Sequence, residues 1–357
     1  MSIAQETEKI EEVSGKLLAW YDRHGRSLPW RADPQPYNVW VSEIMSQQTR
    51  IAAMLPYYQR WMQLFPDVKT LAVAQEEQVL KAWEGLGYYS RARNLQRAAH
   101  HIVAAWGGDM KGDYHSLLTL PGVGPYTAAA IASIAFGERV AAVDGNALRV
   151  LARVFGVALN IGSKEGKKEI GELLLALLPF DRPGDGNQAV MDLGSAYCLP
   201  KNPRCDECPL EMSCVAHAAG WEEKLPIKSA KKAQRVEWRA VALWQDEKGN
   251  YLLRRREERL LHGLWEFPGE TLDREGAKPR WEALRKLGLQ ATSEKKGPQA
   301  HHVFTHICWQ MQGYWLRTSS TAPLPEGYAW APVERLADYA IPSAMRAFVQ
   351  AVLAKKP

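Results

Sequence analysis

Over its first ~225 residues the chain repeats apolar positions at intervals of three and four, the spacing that puts side chains on one stripe of a helix. EKIEEVSGKLLAWYDRHG, VWVSEIMSQQTRIAAMLPYYQRW, SRARNLQRAAHHIVAAWG and EIGELLLALL all carry it. Beyond residue 226 the rhythm changes. A basic connector, LPIKSAKKAQRVEWR, leads into short alternating runs (AVALWQD, NYLLRRR, HVFTHICWQMQGYWL) that predict strands. Gly249-Asn250 stands at the tip of QDEKGNY and predicts a hairpin turn. One helical pattern, KPRWEALRKLG, lies within this half. The expected organisation is a multidomain chain: an all-α domain over residues 1–225, a linker over 226–236, and a smaller α/β domain over 237–357.

Composition changes this picture little. A net charge of +5 permits a polyanionic partner without requiring one. The longest apolar run, TAAAIASIAFG, is interrupted by Ser133 and falls short of a membrane span. The start, MSIAQETEKIEEV, is polar and acidic, without the apolar centre of a secretory signal. No membrane association and a cytoplasmic location are therefore expected.

Four of the five cysteines fall within YCLPKNPRCDECPLEMSC: Cys198, Cys205, Cys208 and Cys214, with six, two and five residues between them. A chain of this length buries a core without disulfide staples, which argues for metal ligation. Thiolates suit zinc and iron–sulfur clusters alike, and the spacing does not separate the two. Cys308, in a strand-like run, reads as a small packed side chain.

Residues 113–136, DYHSLLTLPGVGPYTAAAIASIAF, read as helix, tight turn, helix. Gly122 and Gly124 give the turn unusual backbone freedom and let another backbone come close. Pro125 suits a first helical position. The free N–H groups of the second helix's first turn make a phosphate site. Downstream, Asp144 stands at the N-cap of an apolar-periodic helix, where the dipole favours its charged form. Upstream, Glu43, Ser46, Gln47 and Arg50 share one face of a predicted helix, with Trp40, Ile44 and Ile51 on another. Periodicity alone makes that polar face a solvated one.

Five phrases occur in order: V-S-E-I-M-x-Q-Q-T, G-L-G-Y-Y-S-R-A-R-N-L, L-P-G-V-G-x-Y-T-A, V-D-G-N-x-x-R-V and the cysteine loop over 198–214. Together they resemble the adenine DNA glycosylases of the MutY type, helix-hairpin-helix base-excision enzymes that remove adenine mispaired with 8-oxoguanine. The resemblance implies a 4Fe-4S cluster on Cys198, Cys205, Cys208 and Cys214. It implies that Glu43 protonates the adenine and later activates water. Asp144 would meet the cationic sugar, with Tyr126 and Asn146 orienting these groups. Bifunctional relatives such as endonuclease III carry a Schiff-base Lys at the position of Tyr126, so base removal without strand cleavage is expected.

By the same resemblance Trp30, Arg31 and Ile51 line the pocket for the extruded base. Gln48 and Tyr88 enter the duplex, and Thr49 and Leu86 lie near the 8-oxoguanine. Ser46 departs from the usual Leu, and Gln188 occupies a position that varies between Glu and Gln.

In the second half, LLHGLWEFPGE resembles Nudix hydrolases. The paired Glu positions that hold magnesium in that family are Arg285 and Lys286 here, so hydrolysis is not expected. The domain reads instead as a recognition module for 8-oxoguanine, with Phe304, Thr305 and His306 as its sensor. The expected partner is double-stranded DNA with A·8-oxoguanine or A·G mispairs, bound by a monomer that is nucleoid-associated when on DNA. An endonuclease III-like glycosylase/lyase is the alternative, weighed down by Tyr126 and the second domain. A Nudix hydrolase is a more distant one.

Overall fold

The computed structural model describes residues 3–229, 234–318 and 323–355. Residues 230–233 of the expected linker lie outside the described residues. The chain forms two compact units, Met1–Val73 with Asn94–Ala230, and Ala74–Arg93 with Lys231–Pro357. The single cut near residue 226 therefore misses one segment. Ala74–Arg93 lies in the helical half of the sequence but packs with the second unit. Lys81 Nζ donates to Tyr339 O at 3.2 Å and Glu84 Oε1 accepts from Ile341 N at 3.1 Å.

The first unit is all-helical. Its main core joins helices Ile3–His24, Gly145–Phe155, Lys164–Leu177 and Pro183–Ala196 through residues such as Val13, Leu17, Val150, Ile170, Leu174 and Leu193. Helix Pro183–Ala196 is buried along most of its length despite its small, polar sequence PGDGNQAVMDLGSA. Small side chains let it run against its neighbours: a Cβ on Gly194 would stand 2.6 Å from Asn146 Cβ. The predicted continuous helix VWVSEIMSQQTRIAAML is two helices, Pro36–Ser46 and Ile51–Leu64. Gln48, at φ 57°, breaks it in the left-handed region. Arg50 is thus not on the helix of Glu43.

The second unit is built on a seven-stranded sheet: β1 Arg235–Gln245, β2 Tyr251–Arg255, β3 Trp265–Glu266, β4 Gly269–Leu272, β5 Ser293–Val303, β6 Ile307–Arg317 and β7 Tyr328–Ala331. Its path runs β3-β2-β1-β6-β5, with β4 on β1 and β7 on β2. The central β1–β6 pair is parallel. Val241 and Leu243 enter the core on one sheet face, with Phe348 and Val352 of helix Arg346–Ala354. Ala240, Ala242 and Trp244 enter the core on the other, with Trp281 and Leu284. Burial on both faces is why AVALW reads as a continuous apolar run. The expected hairpin is present, with Gln245 opposite Tyr251. KPRWEALRKLG is helical only over Glu282–Lys286, Trp281 having left-handed φ at its N-cap. Among the described residues no helix is long and apolar enough to cross a membrane.

Candidate active site

Glu43 lies on helix Pro36–Ser46, but its face is not solvated. The side chain is buried, beside Trp40, Ile44 and Met45 of the same helix. Tyr126, in the first turn of helix Pro125–Phe136, donates its hydroxyl to Glu43 Oε2 at 2.6 Å. Burial is the main force on this carboxyl and pushes its pKa from the ordinary 4.5 to about 6; nearby Asp144 adds to the rise, while Tyr126, Arg31 and Arg26 oppose it. Tyr126, itself buried against two acids, is held neutral, its pKa raised well above 10.

Asp144 is the N-cap of helix Gly145–Phe155, as its sequence position predicts. Oδ1 accepts from Ala147 N at 2.7 Å and Oδ2 from Asn146 Nδ2 at 2.6 Å. Burial raises its pKa, and these hydrogen bonds pull it back towards the carboxylate. Asn146 is fixed in turn: its Oδ1 accepts from Arg149 Nη2 at 2.8 Å. Arg149 also donates to Gly194 O and to Cys198 O, both at 2.7 Å.

These groups open into a cavity of about 580 Å³, within the range of small-molecule and base pockets. Trp30, Arg31, Ser46, Gln48, Thr49, Ile51 and Gln188 line it with Glu43, Tyr126, Asp144 and Asn146. Trp30 is buried, its ring edge-on to Tyr58 at 4.9 Å. Ser46 turns its hydroxyl back to Glu43 O at 3.0 Å. Gln47 bonds Thr127 Oγ1 at 3.2 Å, tying the turn to the Tyr126 helix. The sequence reading missed Arg26, Met191 and Ser195, which also line the cavity, and Asp192, which binds Arg26 and Arg31. The available signal was the second of two acids on a small-residue helix, Asp192, four positions from Gln188.

In the hairpin, Asp113 caps helix Tyr114–Leu117 and Gly124 caps helix Pro125–Phe136. Gly122 needs its missing side chain: φ is 79° and a Cβ would meet Asn94 Cβ at 2.5 Å. Gly124 does not need it for its torsions, φ being −94°. Its Cβ position faces open space.

Cys198, Cys205, Cys208 and Cys214 are free thiols around one small cavity. Burial pushes Cys205 up to about 11 and Cys208 to about 12, and raises Cys214. Converging half-buried thiols of this kind ionise when a cation binds them. Arg153 Nη1 donates to Cys198 Sγ at 3.3 Å, supplying positive charge to an anionic thiolate set. The residues therefore fit an iron–sulfur cluster. Cys205, His217 and Glu222 also place ligand atoms within 4.8 Å of one another. His217 Nδ1 is engaged with Glu222 at 2.7 Å. Cys308, on β6, is half-buried.

In the second unit Tyr88, Phe304, Thr305 and His306 line a separate cavity of about 350 Å³. Phe304–His306 forms the turn between β5 and β6, not a plain strand. Phe304 packs edge-on to Trp309 at 4.8 Å, while Thr305 and His306 are exposed. Tyr88, at φ 47°, sits in the strained left-handed region, and its hydroxyl is 3.2 Å from Thr305 Oγ1. Leu86 is buried. Arg285 and Lys286 are exposed on their short helix.

Residues 41–177 match the HhH-GPD superfamily of base excision DNA repair proteins, and residues 240–351 match the NUDIX domain. The adenine DNA glycosylase of Homo sapiens is 34% identical over 420 aligned residues, 99% of this chain and 76% of that protein. That of Rattus norvegicus is 35% identical, over 92% and 76%. Among solved structures, a thermostable thymine-DNA glycosylase is 27% identical with a TM-score of 0.55, covering 59% of this chain and 98% of its own. A DNA-trapped endonuclease III shares the fold at 21% identity and a TM-score of 0.52, covering 60% and 98%.

Proposed function

Because the chain belongs to the adenine DNA glycosylase family, and is thus a base-excision DNA glycosylase, we propose that it hydrolyses adenine mispaired with 8-oxoguanine, or with guanine, from double-stranded DNA without cutting the strand. The observation that carries this reading is Glu43: a buried carboxyl, raised to about 6, sharing one cavity with Asp144.

The mispaired adenine leaves the stack and enters the cavity between Trp30, Arg31, Ile51 and Gln188. Glu43 gives its proton to N7 of the ring, which turns adenine into a better leaving group. The C1′–N9 bond breaks, its electron pair goes to the base, and the sugar becomes an oxocarbenium-like cation. Asp144 stays anionic through the Ala147 N–H and Asn146 amide bonds and stabilises that cation. Glu43, now a carboxylate, takes a proton from water as the oxygen attacks C1′. Free adenine and an abasic sugar result. Tyr126 has no amine to attack the sugar, so no Schiff base forms.

Gly122 and Gly124 admit the DNA backbone, with phosphate held at the helix N-terminus. Gln48 and Tyr88, both left-handed, fill the duplex beside the extruded base. Thr49 and Leu86 lie towards the 8-oxoguanine, and Phe304, Thr305 and His306 sense it. Cys198, Cys205, Cys208 and Cys214 hold a 4Fe-4S cluster, which cross-links a loop of the DNA-facing surface and takes no part in hydrolysis. The protein acts as a monomer. The test is a duplex with adenine opposite 8-oxoguanine: free adenine and alkali-labile sites are expected, and spontaneous strand scission is not.

A further inference from the structure

Asp192, on helix Pro183–Ala196, is almost wholly buried, its side chain 2% exposed. Its carboxylate receives five hydrogen bonds from two arginines. Oδ1 accepts from Arg26 Nε at 2.8 Å, from Arg26 Nη2, and from Arg31 Nη2 at 2.9 Å. Oδ2 accepts from Arg31 Nη1 at 2.7 Å and from the backbone N–H of Arg26 at 3.1 Å. Arg26 and Arg31 are on the loop and short helix that follow Ile3–His24, and both line the cavity of Glu43.

We propose that Asp192 is a positioning residue for base release: its carboxylate pins the Arg26 and Arg31 guanidiniums and offsets their charge, so that Glu43 keeps the proton it must give to adenine. This rests on the reading of Glu43 as the acid.

The charged groups around Glu43 come from several elements, and Arg50, at the N-cap of helix Ile51–Leu64, also lines the cavity. Tyr126, on helix Pro125–Phe136, donates to it; Asp144, capping helix Gly145–Phe155, favours its neutral form; Arg26 and Arg31 favour its carboxylate. Helix Pro183–Ala196 sends uncharged Gln188 and Met191 to the same cavity. The cluster of Arg26, Arg31 and Asp192 carries a net charge of about +1, next to the negative Asp144. Without Asp192 that charge doubles in a low-dielectric site, and the guanidiniums lose the partner that fixes their direction. Both changes draw Glu43 towards its carboxylate. Asp192 itself is held ionised by the same arginines, so it supplies no proton.

The test is single-turnover adenine release on an A·8-oxoguanine duplex, as a function of pH, for the unaltered protein and four variants. In the unaltered protein the rate falls as pH rises through the ionisation of Glu43. Asp192→Asn should move that fall to lower pH by about half a unit to one unit, a three- to tenfold loss at any pH above it. Arg26→Met should move it to higher pH, and the double variant Asp192→Asn/Arg26→Met should return it towards the original position. A purely structural Asp192 would lower the rate or the melting temperature without moving the fall, and that result overturns the proposal. If Asp192→Asn does not fold, Arg26→Met decides: a fall that stays in place or moves to lower pH overturns it. Glu43→Gln is the fourth variant. If it still releases adenine at the original rate, the assignment of the acid has failed rather than the link to Asp192.

Discussion

The Tyr126 hydroxyl donates to Glu43 Oε2 at 2.6 Å, and the two side chains come from helices whose sequence positions are 83 residues apart. Burial favours the neutral form of Glu43, and the Tyr126 hydrogen bond opposes it by favouring the carboxylate. Tyr126→Phe removes the hydroxyl and keeps the ring. A hydrogen bond to an ionisable group contributes roughly 1.5–3 kcal/mol, so adenine release should slow about 10- to 100-fold in single-turnover assays. Borohydride should trap no covalent enzyme–DNA adduct with the unaltered protein, and efficient trapping would contradict the strand-sparing reading.

Glu43 also sets a pH dependence of stability. Its folded pKa of about 6 lies above the ordinary 4.5, so folding favours the neutral acid. The contribution is fully present below 4.5 and is lost as pH rises through 6, by about 2 kcal/mol in all. Glu43→Gln should therefore melt higher than the unaltered protein above pH ~7 and show no such gain near pH ~4. It should abolish adenine release while DNA affinity survives, because phosphate contacts supply most of that affinity. Equal melting temperatures at both pH values would contradict the burial of this carboxyl.

Gly194 tests the support of Asp144. A methyl there would stand 2.6 Å from Asn146 Cβ, so Asn146 must shift, and with it the amide that holds Asp144 Oδ2. Gly194→Ala should lower the rate of base release at least about tenfold, the size of one lost charge-assisted hydrogen bond, with little change in duplex affinity. Retained activity would show that Asn146 is not needed where it stands.

Tyr88 and Thr305 test lesion reading. Changing Phe304, Thr305 and His306 together to Ala should leave adenine release in place and shrink the preference for 8-oxoguanine over guanine, by on the order of 1–3 kcal/mol per lost contact. Full discrimination in this variant would shift the role to Thr49, Leu86 and Tyr88.

The metal set is tested by composition. Iron near four atoms per chain, by analogy with Cys₄-ligated 4Fe-4S clusters, and a yellow-brown colour are expected, and Cys308→Ser should leave both unchanged. Stoichiometric zinc without iron would contradict the cluster and point to Cys205, His217 and Glu222 instead.

Local signals carried the elements that a local pattern can specify. Asp144 is legible as a cap because the apolar periodicity begins just after it, and AVALWQD as a strand; that AVALW is buried on both faces shows only in the fold. Glu43 is a different case: periodicity made its face a solvated one, and only its motif singled it out. Its partner Tyr126 lies 83 residues further along the chain. The break at Gln47–Arg50 carries no Gly or Pro, since Gln48 adopts the left-handed turn without either. Arg26 lies in a short loop with no period to mark it, and Asp192 gains meaning only from the arginines that reach it. The packing of Ala74–Arg93 with the second unit is likewise a long-range relation invisible to a window of neighbours.

Release of free base from a duplex with adenine opposite 8-oxoguanine, followed in a single turnover for the unaltered protein and for Glu43→Gln, is the most direct test. Free adenine from the first, with an intact strand until alkali is added, and none from the second is the expected result. No adenine from the unaltered, cluster-containing protein, or undiminished adenine from Glu43→Gln, would contradict the central claim.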